Sequence, residues 1–262
     1  MKRYLKIFLL SMKMSLMREM EYRADFFMVV FQAVLFIFFN LLFYKAVIGN
    51  AGGIGDWSYP NMVALFGTYV IIDGIFMTFI VLGANAIEKY VRTGMLDSVL
   101  VKPIDSQFMI TVQRGLIISE SPSIIFGIGV LIYGLVQSHV VINLWNILGY
   151  IFFIFCSSLI FYSFALSFGC IVFFIDKAEE LNEIIFSLKQ FSKFPDIYTG
   201  MIKYVLMFVT PLVFASFVPA GIILNKINYW FVLYYLITTI VMLLFSRWLW
   251  KFGLSKYKSA GG

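Results

Sequence analysis

The chain has 262 residues, of which 61% are hydrophobic and only 13% charged, with a net charge of +6 and a mean hydropathy of +0.92. A soluble domain is about 45–50% apolar and about 25% charged, so these residues cannot cover a water-facing surface. Disulfide scaffolds, disordered chains and nucleic-acid readers are excluded, and the composition is that of an all-α polytopic membrane protein.

Residues 1–25 carry Lys2, Arg3, Lys6, Lys13, Arg18 and Arg23. Lys2, Lys6 and Lys13 share one helical stripe, with Leu5, Phe8, Met12 and Leu16 on another. That spacing predicts an amphipathic helix lying in the headgroup region; the plainer alternative is a charged flank to the first span. Runs of about 20 apolar residues are long enough to cross a bilayer, and they predict spans at Phe26–Ile48, Asn61–Ala84, Gly115–Val136 and Tyr229–Trp250. A longer run, Trp145–Ile175, exceeds one crossing. Within the third span, Pro122 is expected to free the carbonyl of Ile118 and kink the helix. Cys156 and Cys170 lie about 21 Å apart along one helix, too far for a bridge.

Lys and Arg concentrate in the amino-terminal segment, in the 85–114 loop (Lys89, Arg92, Lys102, Arg114) and in the tail, whereas 49–60 and 137–144 have none. The positive-inside rule therefore puts both termini and the 85–114 loop in the cytoplasm, which six crossings satisfy. The fifth crossing is open. Hydropathy alone selects Met201–Ile222, which contains Pro211 and Pro219; the alternative runs a helix over 178–196 despite Lys189 and Lys193. In that case 199–225 dips into the outer leaflet and returns, which requires cover by protein or water.

The 85–114 loop contains Arg92-Thr-Gly94-Met95-Leu96-Asp97-Ser-Val99-Leu100-Val-Lys-Pro103. Gly94 is suited to ending one helix, Met95 to Val101 makes one or two turns, and Pro103 stops them. Leu96, Val99 and Leu100 would form an apolar knob for a soluble partner. The pattern Arg-x-Gly-x-Leu-Asp-x-x-Leu-x-x-Pro resembles the first cytoplasmic loop of type-2 ABC exporter permeases. Glu21-Tyr-Arg-Ala-Asp25, Phe194-Pro-Asp-Ile-Tyr198 with Pro211 and Pro219, and Gly253-Leu-Ser-Lys-Tyr-Lys-Ser-Ala-Gly261 match in the same order, in the subgroup of about 260 residues without a fused ATPase.

The resemblance implies one transmembrane permease domain over 1–262 with six spans, an interfacial helix over 1–25, a coupling loop over 85–114 and an outer re-entrant segment over 199–225. It implies an ATPase-coupling role for Arg92, Gly94, Met95, Leu96, Asp97, Val99, Leu100 and Pro103. It also implies two ATP-binding subunits carrying ATP and Mg, a second permease protomer, identical or homologous, and residence in the bacterial cytoplasmic membrane. Family members export drugs, peptides or lipid-linked molecules. The chain departs from the family in the basic character of its fifth helix, which carries Lys189 and Lys193.

The chain has no Gly-x-x-x-x-Gly-Lys-Ser/Thr phosphate loop, no cluster of metal ligands and no nucleophile–base pair, so no cofactor or metal is expected on it. Ionisable residues inside a membrane are the best functional pointers, since a central one costs about 2.5–3.5 kcal/mol even on the lower scales. Asp73, mid-span, Glu120, Lys189 and Lys193 are candidates to line a translocation path, the two acids favouring a cationic or amphiphilic substrate. Alternatively, each acid pairs with a basic or amide group, such as Lys189 or Asn40, to fix packing. Gly67 and Gly74 predict close helix approach, within the protomer or between protomers. Trp145, Tyr150, Tyr229 and Trp230 are expected at the outer interface. Two other functions are compatible with the composition: a membrane anchor or sensor that recruits a cytosolic partner, and a membrane-embedded enzyme acting on lipid.

Overall fold

The computed structural model describes residues 2–21, 23–49, 53, 56–113, 116–175, 179–194 and 211–257. The described residues form helices: α1 (Lys2–Glu21), α2 (Arg23–Tyr44, closing in a wide turn at Lys45–Gly49), α3 (Tyr59–Phe79), α4 (Val81–Arg92), α5 (Met95–Leu100), α6 (Ser106–Gln113), α7 (Pro122–Ser138), α8 (Leu144–Cys170), α9 (Glu179–Gln190), α10 (Phe217–Ile223) and α11 (Tyr229–Lys256). Five helical stretches are long and apolar enough to cross a membrane: Arg23–Val47, Tyr59–Arg92, Ile118–Ser138, Leu144–Phe173 and Tyr229–Lys256. They correspond to the four clean spans and the long run expected from hydropathy.

The core is built on α3. It packs most extensively against α7, and the contact is close because Gly67 and Gly127 remove side chains from both surfaces. A Cβ on Gly127 would lie 2.8 Å from the Ile71 nitrogen and 3.0 Å from the Gly67 oxygen. The second-span glycines therefore serve packing inside the protomer. α8 lies against α11, α10 and α4. Ser157 Oγ donates to the carbonyls of Phe153 (2.8 Å) and Ala215 (2.7 Å) and lies 2.9 Å from the Tyr235 hydroxyl, so one serine ties three segments together. A second, smaller core joins α4, α5 and α6 to the ends of α8 and α11 around Tyr90, Leu96, Val99, Ile110, Cys170 and Trp250.

Several expectations are corrected. The third span does not run unbroken from Gly115, and Pro122 does not kink it: Pro122 is the first residue of α7, where its missing N–H costs nothing, and Ile118–Glu120 is a separate short turn. A continuous helix over Met201–Ile222 is not formed, because Pro211–Phe214 and α10 are two short pieces separated by a turn at Ala215–Ser216. Pro219 falls in the first turn of α10, which tolerates it. The described part of the other candidate, 178–196, is α9 followed by a tight turn at Phe191–Lys193. Residues 176–178 and 195–210, with most of the Phe194–Tyr198 motif and the start of the 199–225 segment, lie outside the described residues, as do Tyr22, Arg114 and Gly115, and 258–262. Tyr150 is not an interfacial residue: it is buried, and its hydroxyl lies 3.1 Å from Thr68 Oγ1. Trp145, Tyr229 and Trp230 are exposed as expected.

On α1, Phe8 and Met12 of the apolar stripe are half-buried. Leu5 and Leu16 are exposed beside Lys6 and Lys13, while the buried residues are Ser11 and Ser15. The helix is held to the protein by hydrogen bonds and by an edge contact of the Tyr4 ring with Phe108 at 4.8 Å, while its leucines are exposed.

Candidate substrate cavity and coupling tip

Two regions carry the candidate residues. The first is a cavity of ≈ 180 Å³ between α2, α3 and the start of α7. Its walls are Val29, Ala33, Phe36 and Ile37 of α2 and Val70 and Met77 of α3, and its polar lining is Gln32, Asp73, Glu120 and Ser123. Asp73 and Glu120 thus share one cavity, although 47 residues apart in sequence. Glu120 reaches it from the short turn that precedes α7, not from within a regular span.

Asp73 is paired. Lys189 Nζ of α9 donates to Asp73 Oδ1 at 2.6 Å, and the lysine is only 6% exposed. The same ammonium lies 4.7 Å from the Phe186 ring centre and 5.5 Å from that of Phe76. Lys193 is 8% exposed; it donates to Gln190 Oε1 at 2.7 Å and sits 4.5 Å from the Phe36 ring and 5.4 Å from the Tyr69 ring. Aromatic faces attract cations, so Lys189 is accommodated by α3 and its own helix's Phe186, and Lys193 by α2 and α3. Asn40 is not the partner of Asp73, since its amide donates to the Phe36 carbonyl at 2.8 Å. The pairing alternative is therefore realised for Asp73. Glu120 brings a second carboxylate to the cavity that Asp73 borders.

The second region is the tip formed by α5. α4 ends at Arg92, whose guanidinium pairs with Glu88 one turn back at 3.0 Å. Gly94 has φ +70°, a left-handed conformation natural to glycine, which reverses the chain into α5. Leu96 and Val99 do not form an exposed knob: both are buried, at 0% and 1% exposure, in the second core beside Tyr90, Ile110 and Trp250. The periodicity identified an amphipathic turn, but its apolar side faces the protein's own α6 and α11. The residues presented outward are Met95, Ser98, Leu100 and Val101, the last 82% exposed.

A polar network behind the tip was not anticipated. Asp105 Oδ1 caps α6 by accepting from the Phe108 N–H at 3.0 Å. Arg247 of α11 bonds both oxygens of Asp105 and donates to Gln107 Oε1 at 2.6 Å, and Gln107 Nε2 donates to the Tyr162 hydroxyl of α8 at 2.9 Å. Burial pushes the Asp105 carboxyl up, but the bonds from Arg247 and Phe108 outweigh it and hold it below the usual carboxylate range. The sequence signal was there in outline: Asp105 follows Pro103 and precedes a helix, as an N-cap does. Gln32 was likewise visible as one of two amides, with Asn40, in the apolar first span.

Among the described residues no group of three or more His, Cys, Asp or Glu is placed to hold a metal ion. A family model described as "ABC-2 family transporter protein" matches residues 29–261, from early in α2 through the tail. No curated protein matches the chain.

Proposed function

The chain belongs to the ABC-2 transporter family and is a multi-pass membrane permease subunit of an ABC transporter; on that premise we propose that it exports a cationic amphiphile out of the cytoplasm. The observation that carries this is the cavity in which Asp73 and Glu120 meet an otherwise apolar wall. Lys189 neutralises Asp73, so Glu120 is the carboxylate left to receive a single positive charge, while Val29, Phe36, Val70 and Met77 receive an apolar body. A half-buried carboxylate beside hydrocarbon favours a cation because a counter-charge offsets its desolvation cost.

Two permease protomers, alike or homologous, would enclose the path, with both termini and the α4–α6 region in the cytoplasm of a bacterial cell and 199–225 at the outer face. Two ATP-binding subunits, each with ATP and Mg, would dock on the tip at Met95–Val101, and their closure would drive alternating access. The outward Met95, Leu100 and Val101 support that docking, and Leu96, Val99 and Asp97 hold the tip's shape. The test uses inverted vesicles containing the chain and its ATP-binding partner. ATP-dependent accumulation of a hydrophobic monoamine should exceed that of its neutral isostere, and Glu120→Gln should remove the difference. Equal accumulation of both probes by the unaltered protein would refute the cation preference. A tip variant that loses its partner while the cell shows no change in efflux would favour a recruiting anchor instead.

A further inference from the structure

α1 has two faces of different chemistry. The inward face is polar: Ser15 Oγ accepts from the Leu116 N–H at 2.7 Å, Glu19 Oε1 accepts from the Ile118 N–H at 2.5 Å, and Arg18 donates to the Leu116 carbonyl at 3.4 Å. These bonds hold the break that precedes α7. The outward face carries exposed Leu5, Leu9, Leu10 and Met14, and between them the exposed Lys6 and Lys13. Leu5, Lys6, Leu9, Leu10 and Lys13 line a shallow groove of ≈ 410 Å³, with no carboxylate among them.

We infer that this groove is a docking surface for anionic phospholipid. Three observations select lipid over protein or nucleotide. α1 ends at Glu21 and the first span begins at Arg23, so α1 starts from the membrane edge. Its exposed leucines need a non-aqueous contact, which acyl chains supply. Its two lysines, two helical turns or about 10.5 Å apart, can lay their stems along that apolar surface and send both ammonium groups to phosphate level. The inference rests on the membrane placement of α1 and is independent of which substrate the cavity takes. Because the same helix clasps Leu116 and Ile118, a lipid seated on its outer face also bears on the turn that carries Glu120.

The test is native mass spectrometry of the full chain released from nanodiscs made of equal phosphatidylcholine and phosphatidylglycerol. The unaltered chain should retain phosphatidylglycerol in preference, and Lys6→Gln with Lys13→Gln should lower that preference by about fivefold per lysine, the equivalent of the ~1 kcal/mol each basic residue gains at an anionic surface. Lys6→Arg with Lys13→Arg should keep it, as should the control Lys45→Gln. Unchanged melting in pure phosphatidylcholine shows that the Gln variant is folded. Equal retention of the two lipids by the unaltered chain would overturn the inference. So would a preference that survives the Gln pair, or a protein partner held by this face in place of lipid.

Discussion

The Lys189–Asp73 pair permits a quantitative test of how α9 is held. Lys189→Met keeps the length and apolar stem but leaves Asp73 alone; Asp73→Asn leaves the ammonium alone. Removing one partner of a buried pair costs about 3–5 kcal/mol, and an isolated charge within a membrane costs about 2.5–3.5 kcal/mol on insertion scales. Two details place the effect at the lower end. The Asp73 side chain is 25% exposed, towards the cavity, against 8% for Lys189. The stranded ammonium would keep the Phe186 and Phe76 rings, each worth about 0.5–2 kcal/mol. Each single change should therefore cost about 3 kcal/mol, whereas the double change, which strands no charge, should fall within about 1 kcal/mol of the unaltered protein. Thermal unfolding of the purified chain in one detergent reads this directly. At about 2–4 °C per kcal/mol for a chain of this size, each single variant should melt about 6–12 °C lower, with the double variant recovering most of the loss. Two mild effects that simply add in the double variant would refute the pair as a structural tie between α9 and α3.

The tip separates folding from docking. Leu96→Ala empties a fully buried site and should cost about 2–5 kcal/mol, seen as a lower melting temperature. Val101→Asp changes a solvent-facing residue, should leave melting nearly unchanged, and should abolish co-purification of the ATP-binding subunit. Gly127→Ala places a methyl group against the backbone of α3; α3 and α7 must part, with a loss of about 1–3 kcal/mol in melting experiments. Asp105 supplies a pH dependence. Its folded value is depressed, so its stabilising effect is fully present above the unfolded carboxylate range, about 3.9, and is lost as pH falls through the lower folded value. Melting profiles across pH 2–6 should show an acid limb that Asp105→Asn reduces; identical limbs in both proteins would refute the role given to Arg247.

The helical class and five membrane-length helices were legible because hydrocarbon thickness imposes a long, unmistakable apolar run. What periodicity could not supply was direction. Leu96 and Val99 look like a knob for a partner until α6 and α11 are seen to occupy that side. The spacing of Leu5, Phe8, Met12 and Leu16 marks an apolar stripe on α1, but it does not show that Ser15 and Glu19 turn inward to bond Leu116 and Ile118. Tyr150 carries the composition of a belt residue, but its hydroxyl finds Thr68 inside the bundle. Glu120 was recognised as an unusual charge, and Pro122 as a disruption. That the two mark the start of a helix, which lets the carboxylate reach a cavity wall, depends on the packing of α3 against α7.

The break at Ile80, where φ is −115° and ψ is −44°, joins two rods of unequal length. α3 has 21 residues and α4 has 12, so at 1.5 Å per residue the arms measure about 32 and 18 Å. The backbone bonds at the joint end on Ile80, from its own N–H to Phe76 and from the Ala84 N–H to its carbonyl, and the Thr78 carbonyl accepts from the Ile117 N–H at 3.1 Å. A displacement of α4 would therefore bear first on Ile117, in the segment that leads to Glu120 and α7.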